Sequence, residues 1–221
     1  KLNLNSDLGE SFGAWDMGSD DAMLRIVNSA NVACGYHAGD PLVMCKTTKL
    51  AKECGVSIGA HPGYPDLQGF GRRRMDIPLA ELEAMLIYQI GALDACARSQ
   101  GGRVTHVKPH GALSNIACAD RKVADAVARA VAKLDPSLVL LAPSASQLVL
   151  AGRELNLPIV EEIFADRAYT DDGNLVPRSQ PGAMIHGAEA SLQHVMRMVE
   201  ESALISINGK RIPANPQSIC V

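Results

Sequence analysis

The sequence has no surplus of basic charge, no long apolar run and no paired cysteine motif, and each absence closes a class of function. With 21 Lys and Arg against 24 Asp and Glu, it shows no electrostatic footprint for nucleic acid. Its longest apolar runs, such as residues 138–143, are far too short to span a bilayer. The opening stretch KLNLNSDLGE has no apolar core of a signal peptide and turns acidic at Asp7. Cys34, Cys45, Cys54, Cys96, Cys118 and Cys220 form no CxxC pair and read as reduced thiols, mostly core filler. No GxxxxGK[ST] loop is present to cradle nucleotide phosphates. The expectation is a cytoplasmic protein that engages neither membrane nor nucleic acid.

What is present is ordinary for an enzyme in bulk, with 47% hydrophobic and 20% charged residues over 221 positions. That length suits a single α/β domain. Short apolar or β-branched runs occur at residues 2–5, 30–34, 56–60, 104–107, 138–142, 158–163 and 203–207. Helical patterns lie between most of them. Asp40-Pro41 opens one that Gly55 closes; others cover residues 79–99, 121–134, 146–154 and 188–201. Strands separated by helices of this length imply βαβ units on a parallel sheet, either a barrel slightly short of eight strands or an open sheet.

In both architectures sites form at the carboxyl ends of strands. The unusual residues gather there: Asp7 and Glu10 after the first strand, His37 and Asp40 after the second, and His61 after the third. His106, Lys108 and His110 follow at the fourth, and Asp166 and Arg167 at the sixth. In HVKPHGALSN the period-two spacing puts His106, Lys108 and His110 on one face. An ammonium beside two imidazoles is costly in a dry core, so these residues point to a ligand-lined pocket, with His106 partly structural. Plainer roles compete elsewhere. Asp40 before Pro41 suits a helix N-cap, Asp7 suits an Asx-turn, and His37 and His61 suit satisfied loop histidines. Arg72, Arg73 and Arg74 read as a solvated face, otherwise as a phosphate or carboxylate grip. His186 and His194 read as surface or core residues of the last helix.

Taken together, NSDLGE, SANVACGYHAGDP, GVSIGAHPGYPDLQGFGRR, LIYQIGAL, HVKPHGALSN, FADRAYTDDGNLVPRSQPGA and QSIC resemble the LamB/YcsF family nearly end to end. The resemblance implies an irregular seven-stranded β/α barrel, TIM-like and akin to the glycoside hydrolase and deacetylase superfamily. It also implies the A component of a bacterial ATP-dependent 5-oxoprolinase, which opens the lactam of 5-oxoproline to glutamate with B and C subunits. Carried over by position, Asp7, Glu10, His61, Lys108 and His110 are the expected catalytic residues, and Asn31, His37, Asp40, Asp166 and Arg167 the expected substrate-binding ones. ATP, with Mg, is expected at the partner subunits or a shared interface, since this chain has no P-loop.

Two departures stand out. Ser114 occupies a position where the family usually has Tyr, which shortens or removes a stacking or hydroxyl contact. The family pattern continues past Ser218-Ile219-Cys220 into a His-Gly-Asp segment and a helix, so the resemblance implies a barrel with one wall missing. Two further readings stay open: a metal-dependent deacetylase-like hydrolase with His37, His61 and His110 around a divalent ion, and a non-catalytic substrate-binding component.

Overall fold

In the computed structural model, which describes residues 2–221, seven parallel strands close into a barrel. They are β1 (Asn3–Leu8), β2 (Ser29–Ala33), β3 (Ser57–His61), β4 (Val104–Val107), β5 (Val139–Pro143), β6 (Ile159–Phe164) and β9 (Ser218–Cys220). Strand β9 pairs with both β6 and β1, so the ring of strands is closed. The helices are α1 (Asp20–Met23), α2 (Pro41–Glu53), α3 (Leu79–Ser99), α4 (Gly111–Ala119), α5 (Arg121–Leu134), α6 (Gln147–Glu154) and α7 (Ala188–Glu201).

The seventh barrel strand is not the one the sequence predicts. Residues 203–207 supply β7 (Ala203–Ile205), which leaves the barrel to pair antiparallel with β8 (Arg211–Pro213). The Asn208-Gly209 turn between them explains this, because a glycine at φ +81 folds the chain straight back on itself. The strand that does close the barrel is three residues long and follows Pro213 and Pro216, too short to show a period.

Alternation along the strands separates two environments. Outward positions are apolar: Leu8, Val32, Ile58, Ala60, Val107 and Leu140 share one buried cluster with Leu86 and Leu93 of α3, Val127 and Val131 of α5, and Leu148 of α6. Each such fully buried side chain contributes about 1.5–3 kcal/mol, and this shell between barrel and helices carries the hydrophobic stabilisation. Inward positions are polar. Asn5, Asn31, His106, Glu162 and Ser218 are buried and hydrogen-bond across the barrel, where packed barrels ordinarily carry branched aliphatics. Registered pairing sets Asp7, Asn31, Gly59 and His106 on one tier of neighbouring strands. Gly59 is the gap in that tier: a Cβ there would stand inside the His106 ring.

Helix α7 is different in kind, burying only Val195 and Met198 against a smaller cluster that includes Tyr169, Leu204 and Ile219. Between β6 and α7 the chain runs through an irregular excursion that includes a bridge pairing Arg167 with Met184.

Candidate active site

The floor of the site is built by β4. His106 Nδ1 accepts from Thr105 Oγ1 (3.0 Å), and its Nε2 lies 3.0 Å from Asn31 Oδ1. Burial, then the charge of Lys108, pushes His106 down to about 4, so it is a neutral ring near pH 7. As its Nε2 donates to Asn31, the Asn31 amide donates in turn to Asn5 Oδ1 (2.8 Å) and Asp7 Oδ1 (2.9 Å). His106 and Asn31 thus lie beneath the site and orient it.

One residue beyond β4, Lys108 Nζ reaches four partners at 3.1 Å each: Asn5 Oδ1, Asp7 Oδ1, Glu162 Oε2 and Cys220 Sγ. Burial opposes its charge, but Asp7 and the acidic groups of Cys220 and Glu162 reverse that, and the ammonium titrates well above its usual range. Asp7 shows the complementary effect. Burial would raise it, yet His61 and Lys108 hold the carboxylate well below its usual range, although its side chain remains 30% exposed to the cavity. Glu162, wholly buried, is raised by burial against the pull of Lys108, and its Oε1 has no partner among the described residues.

At the mouth three imidazoles meet. His61, last residue of β3, holds the Lys108 carbonyl oxygen through Nδ1 (2.7 Å), and its Nε2 faces Asp7 Oδ2 at 3.3 Å. His110 is held by the Phe70 carbonyl oxygen at Nε2 (2.8 Å) and lies stacked on His37, centroids 3.6 Å apart. Helix α4 starts directly behind His110. Its first residue, Gly111, has φ +55, and a Cβ there would lie 2.7 Å from the Gly71 carbonyl oxygen. Glu10, raised by burial, contacts His37 Nε2 at 3.2 Å.

These groups open onto a cavity of about 520 Å³, lined among others by Asp7, His61, Lys108, His110, Ser114, Arg72, Arg167 and Arg178. The buried Arg167 donates from Nη2 to the Val176 carbonyl, and its Nε has no partner among the described residues. Arg72 and Arg167 both titrate below the usual guanidinium range, through burial first and then the repulsion of Arg178. An anion entering the cavity would relieve that repulsion. A second hollow of about 420 Å³ lies on the flank beside α6, where its charged pair, Arg153 and Glu161, is already joined at 2.5 Å.

The structure therefore brings together Asp7, Glu10, His37, His61, Lys108 and His110, with Asn31 below and Arg167 on the wall. Two expected residues stand apart. Asp40 caps α2, accepting from Leu42 N (2.8 Å) and Val43 N (3.2 Å) and from Gly13 N (2.7 Å). Those donors consume its carboxylate and, Gly13 foremost, lower its pKa. Asp166 is absent from the cavity wall; its contact is the backbone oxygen that accepts from Ile185 N. Sequence reading missed Asn5, Glu162, Cys220 and Arg178; it left Arg72 between a solvated face and an anion grip, and the structure puts it on the cavity wall. Glu162 had a signal: an acidic pair inside the apolar run IVEEIF is too costly to bury unpartnered. Cys220 had none.

A closed parallel β/α barrel with a polar, ionisable interior at the carboxyl ends of its strands defines the class. Residues 2–221 match the LamB/YcsF family, and the chain belongs to it. It is 56% identical over its whole length to the A component of 5-oxoprolinase from an Azoarcus species, covering 86% of that protein. The corresponding 5-oxoprolinase component of Clostridium beijerinckii is 51% identical, with 87% of its length covered. Among solved structures, the lactam utilization protein of Thermus thermophilus superposes with a TM-score of 0.93 at 42% identity, over 100% of this chain and 90% of that one. A cellobiose-phosphate cleavage protein candidate from Enterococcus faecalis, at TM-score 0.56 and 14% identity, shares the fold; 99% of this chain and 79% of that one are covered.

Proposed function

We propose that this chain is the A component of an ATP-dependent 5-oxoprolinase, opening 5-oxoproline to glutamate in the cytoplasm together with B and C subunits. The observation that carries the reading is the cavity itself: a charged Lys108 against Asp7 on its floor and three guanidiniums around its wall. A small anionic lactam suits both. Its carboxylate answers the arginines, and its ring oxygen answers the ammonium.

A five-membered lactam is an unstrained, resonance-stabilised amide, and water opens it slowly unless the carbonyl is activated. Phosphorylation of the lactam oxygen by ATP converts it into a better electrophile, and that nucleotide step belongs to the partner subunits or a shared interface. Water adds to the activated carbon, the ring C–N bond breaks as nitrogen takes up a proton, and a second water releases phosphate from the resulting acyl phosphate, while Lys108 offsets the negative charge on the phosphorylated oxygen. As that oxygen takes up the ammonium, Asp7 loses part of the attraction that keeps its pKa low. It becomes a better acceptor for the proton of the attacking water. Below them, Asn31 fixes the Asp7 carboxylate and His106 fixes Asn31.

The test is conversion of 5-oxoproline to glutamate with ATP, measured with this chain alone and with B and C added. Turnover only in the reconstituted mixture supports the reading. No turnover with all three components removes it.

A further inference from the structure

The cavity is larger than the ligand proposed for it. At about 520 Å³ it falls within the roughly 300–1,000 Å³ of sites that enclose drug-sized molecules. 5-Oxoproline, one five-membered ring with a carboxylate, fills only part of that space. The wall shows which part is left over, because its two sides differ in chemistry.

Charge is gathered at the floor and on one side. Lys108 and Asp7 form the floor, while Arg72, Arg167 and Arg178 lie close enough together to repel one another. Carboxylate and phosphoryl groups are both drawn to that side. The facing wall is built differently. Helix α4 turns Ser114, Asn115, Cys118 and Ala119 to the cavity, the spacing of a single helix face, and Ser146 meets them from the turn after β5. The Cys118 thiol bonds with the hydroxyls of both Ser114 and Ser146, and burial pushes it up to about 12, so it stays protonated. Each of these side chains is small, which is why space remains beside them. All but Ala119 exchange hydrogen bonds, and none carries a charge. An anionic group finds no counter-charge on this wall, whereas an uncharged polar group finds partners.

We infer that this neutral lobe receives an uncharged, hydrogen-bonding substituent on the lactam ring, so that ring-hydroxylated 5-oxoprolines belong to the substrate class, with Ser114 and Asn115 setting the selectivity. The inference rests on the 5-oxoproline reading and widens it. Substituents of hydroxyl size suit the lobe best, because a purely hydrocarbon group would leave the hydroxyls of Ser114 and Ser146 unpaired.

The experiment is ATP-dependent ring opening by the full chain with B and C present. It compares 5-oxoproline with each diastereomer of 4-hydroxy-5-oxoproline. The partners stay the same throughout, so their own discrimination cancels when variants of this chain are compared. Wild type should open at least one hydroxylated diastereomer. Ser114→Leu, which fills the lobe with hydrocarbon, should lower the kcat/KM ratio of hydroxylated to plain substrate by about tenfold or more. Asn115→Leu should lower the same ratio from an exposed position that the fold tolerates, and it decides the matter if Ser114→Leu melts early. Overturning results are a wild type that opens 5-oxoproline and no hydroxylated diastereomer, or a ratio that falls less than about tenfold in both variants. A wild type that leaves 5-oxoproline itself untouched beside its partners fails the functional reading, and this inference with it.

Discussion

The imidazole of His106 occupies the space in which a side chain on Gly59 would stand, and the two residues are registered partners on β3 and β4. The deepest polar layer of the barrel exists because one strand gives up a side chain there. Gly59→Ala should cost at least about 1–3 kcal/mol, the usual penalty for overpacking. For a chain of this size that lowers Tm by roughly 2–4 °C per kcal/mol. His106→Ala also destabilises, by removing the Asn31 partner. The double variant should recover part of the loss, because the intruding methyl then has room. A thermal-melt double-mutant cycle with strictly additive losses would refute the steric coupling.

Lys108 serves the fold as well as the proposed chemistry, since its ammonium sits between Asp7 and the wholly buried Glu162. Removing the ammonium strands Glu162, wholly buried, and Asp7 beside it. Breaking a buried pair from one side costs about 3–5 kcal/mol. Lys108→Met should therefore melt early and turn over about 10²–10³-fold more slowly with its partners. Adding Glu162→Gln should restore much of the stability and none of the rate. Recovery of both together, in melts and reconstituted kinetics, would show that Lys108 serves the fold alone.

The loop behind His110 makes a pH prediction. Asp66 accepts from Arg73, Gly69 N (2.9 Å) and Arg73 N (3.3 Å), and the Arg73 side-chain bond foremost holds its carboxyl down to about 2. The Arg73 side chain is 64% exposed, so water screens its share of the pairing and the backbone donors do more of the holding. A carboxylate lowered in the folded state stabilises above its unfolded pKa, about 3.9, and loses that contribution as pH falls toward about 2. Asp66→Asn should thus be less stable than wild type at about pH 6, with the gap narrowing from about pH 4 to about pH 2. Denaturant midpoints at a series of pH values measure it, and a gap that stays constant or widens toward the acid end contradicts the assignment.

Much of this architecture was legible from residues alone, for identifiable reasons. Helices α3, α5 and α7 have long apolar periods, and α2 has an Asp-Pro start, so their limits fall where the pattern says. Lys108 and His61 were legible because ionisable side chains at strand ends are too costly to bury without purpose. Asp40 misled because one carboxylate suits two roles, and only the donors from Leu42, Val43 and Gly13 decide between them. Helix α4 is short and made of small residues, with no stripe to read. Glu162 and Cys220 reach Lys108 from strands far away in sequence, a proximity that no local pattern encodes.

The pairing of β9 with β1 also bears on how the molecule reaches its native state. Asn3 Nδ2 and Ser218 Oγ, 2.8 Å apart, are separated by 215 positions along the chain. Contacts of such separation carry the largest loop-closure entropy, and topology places them late in folding. Cys220 arrives on that same strand to complete the shell around Lys108. Before the final seam forms, the ammonium lacks one of its four neighbours and the polar interior stands open to water. The seam therefore ties completion of the charged cluster around Lys108 to completion of the barrel.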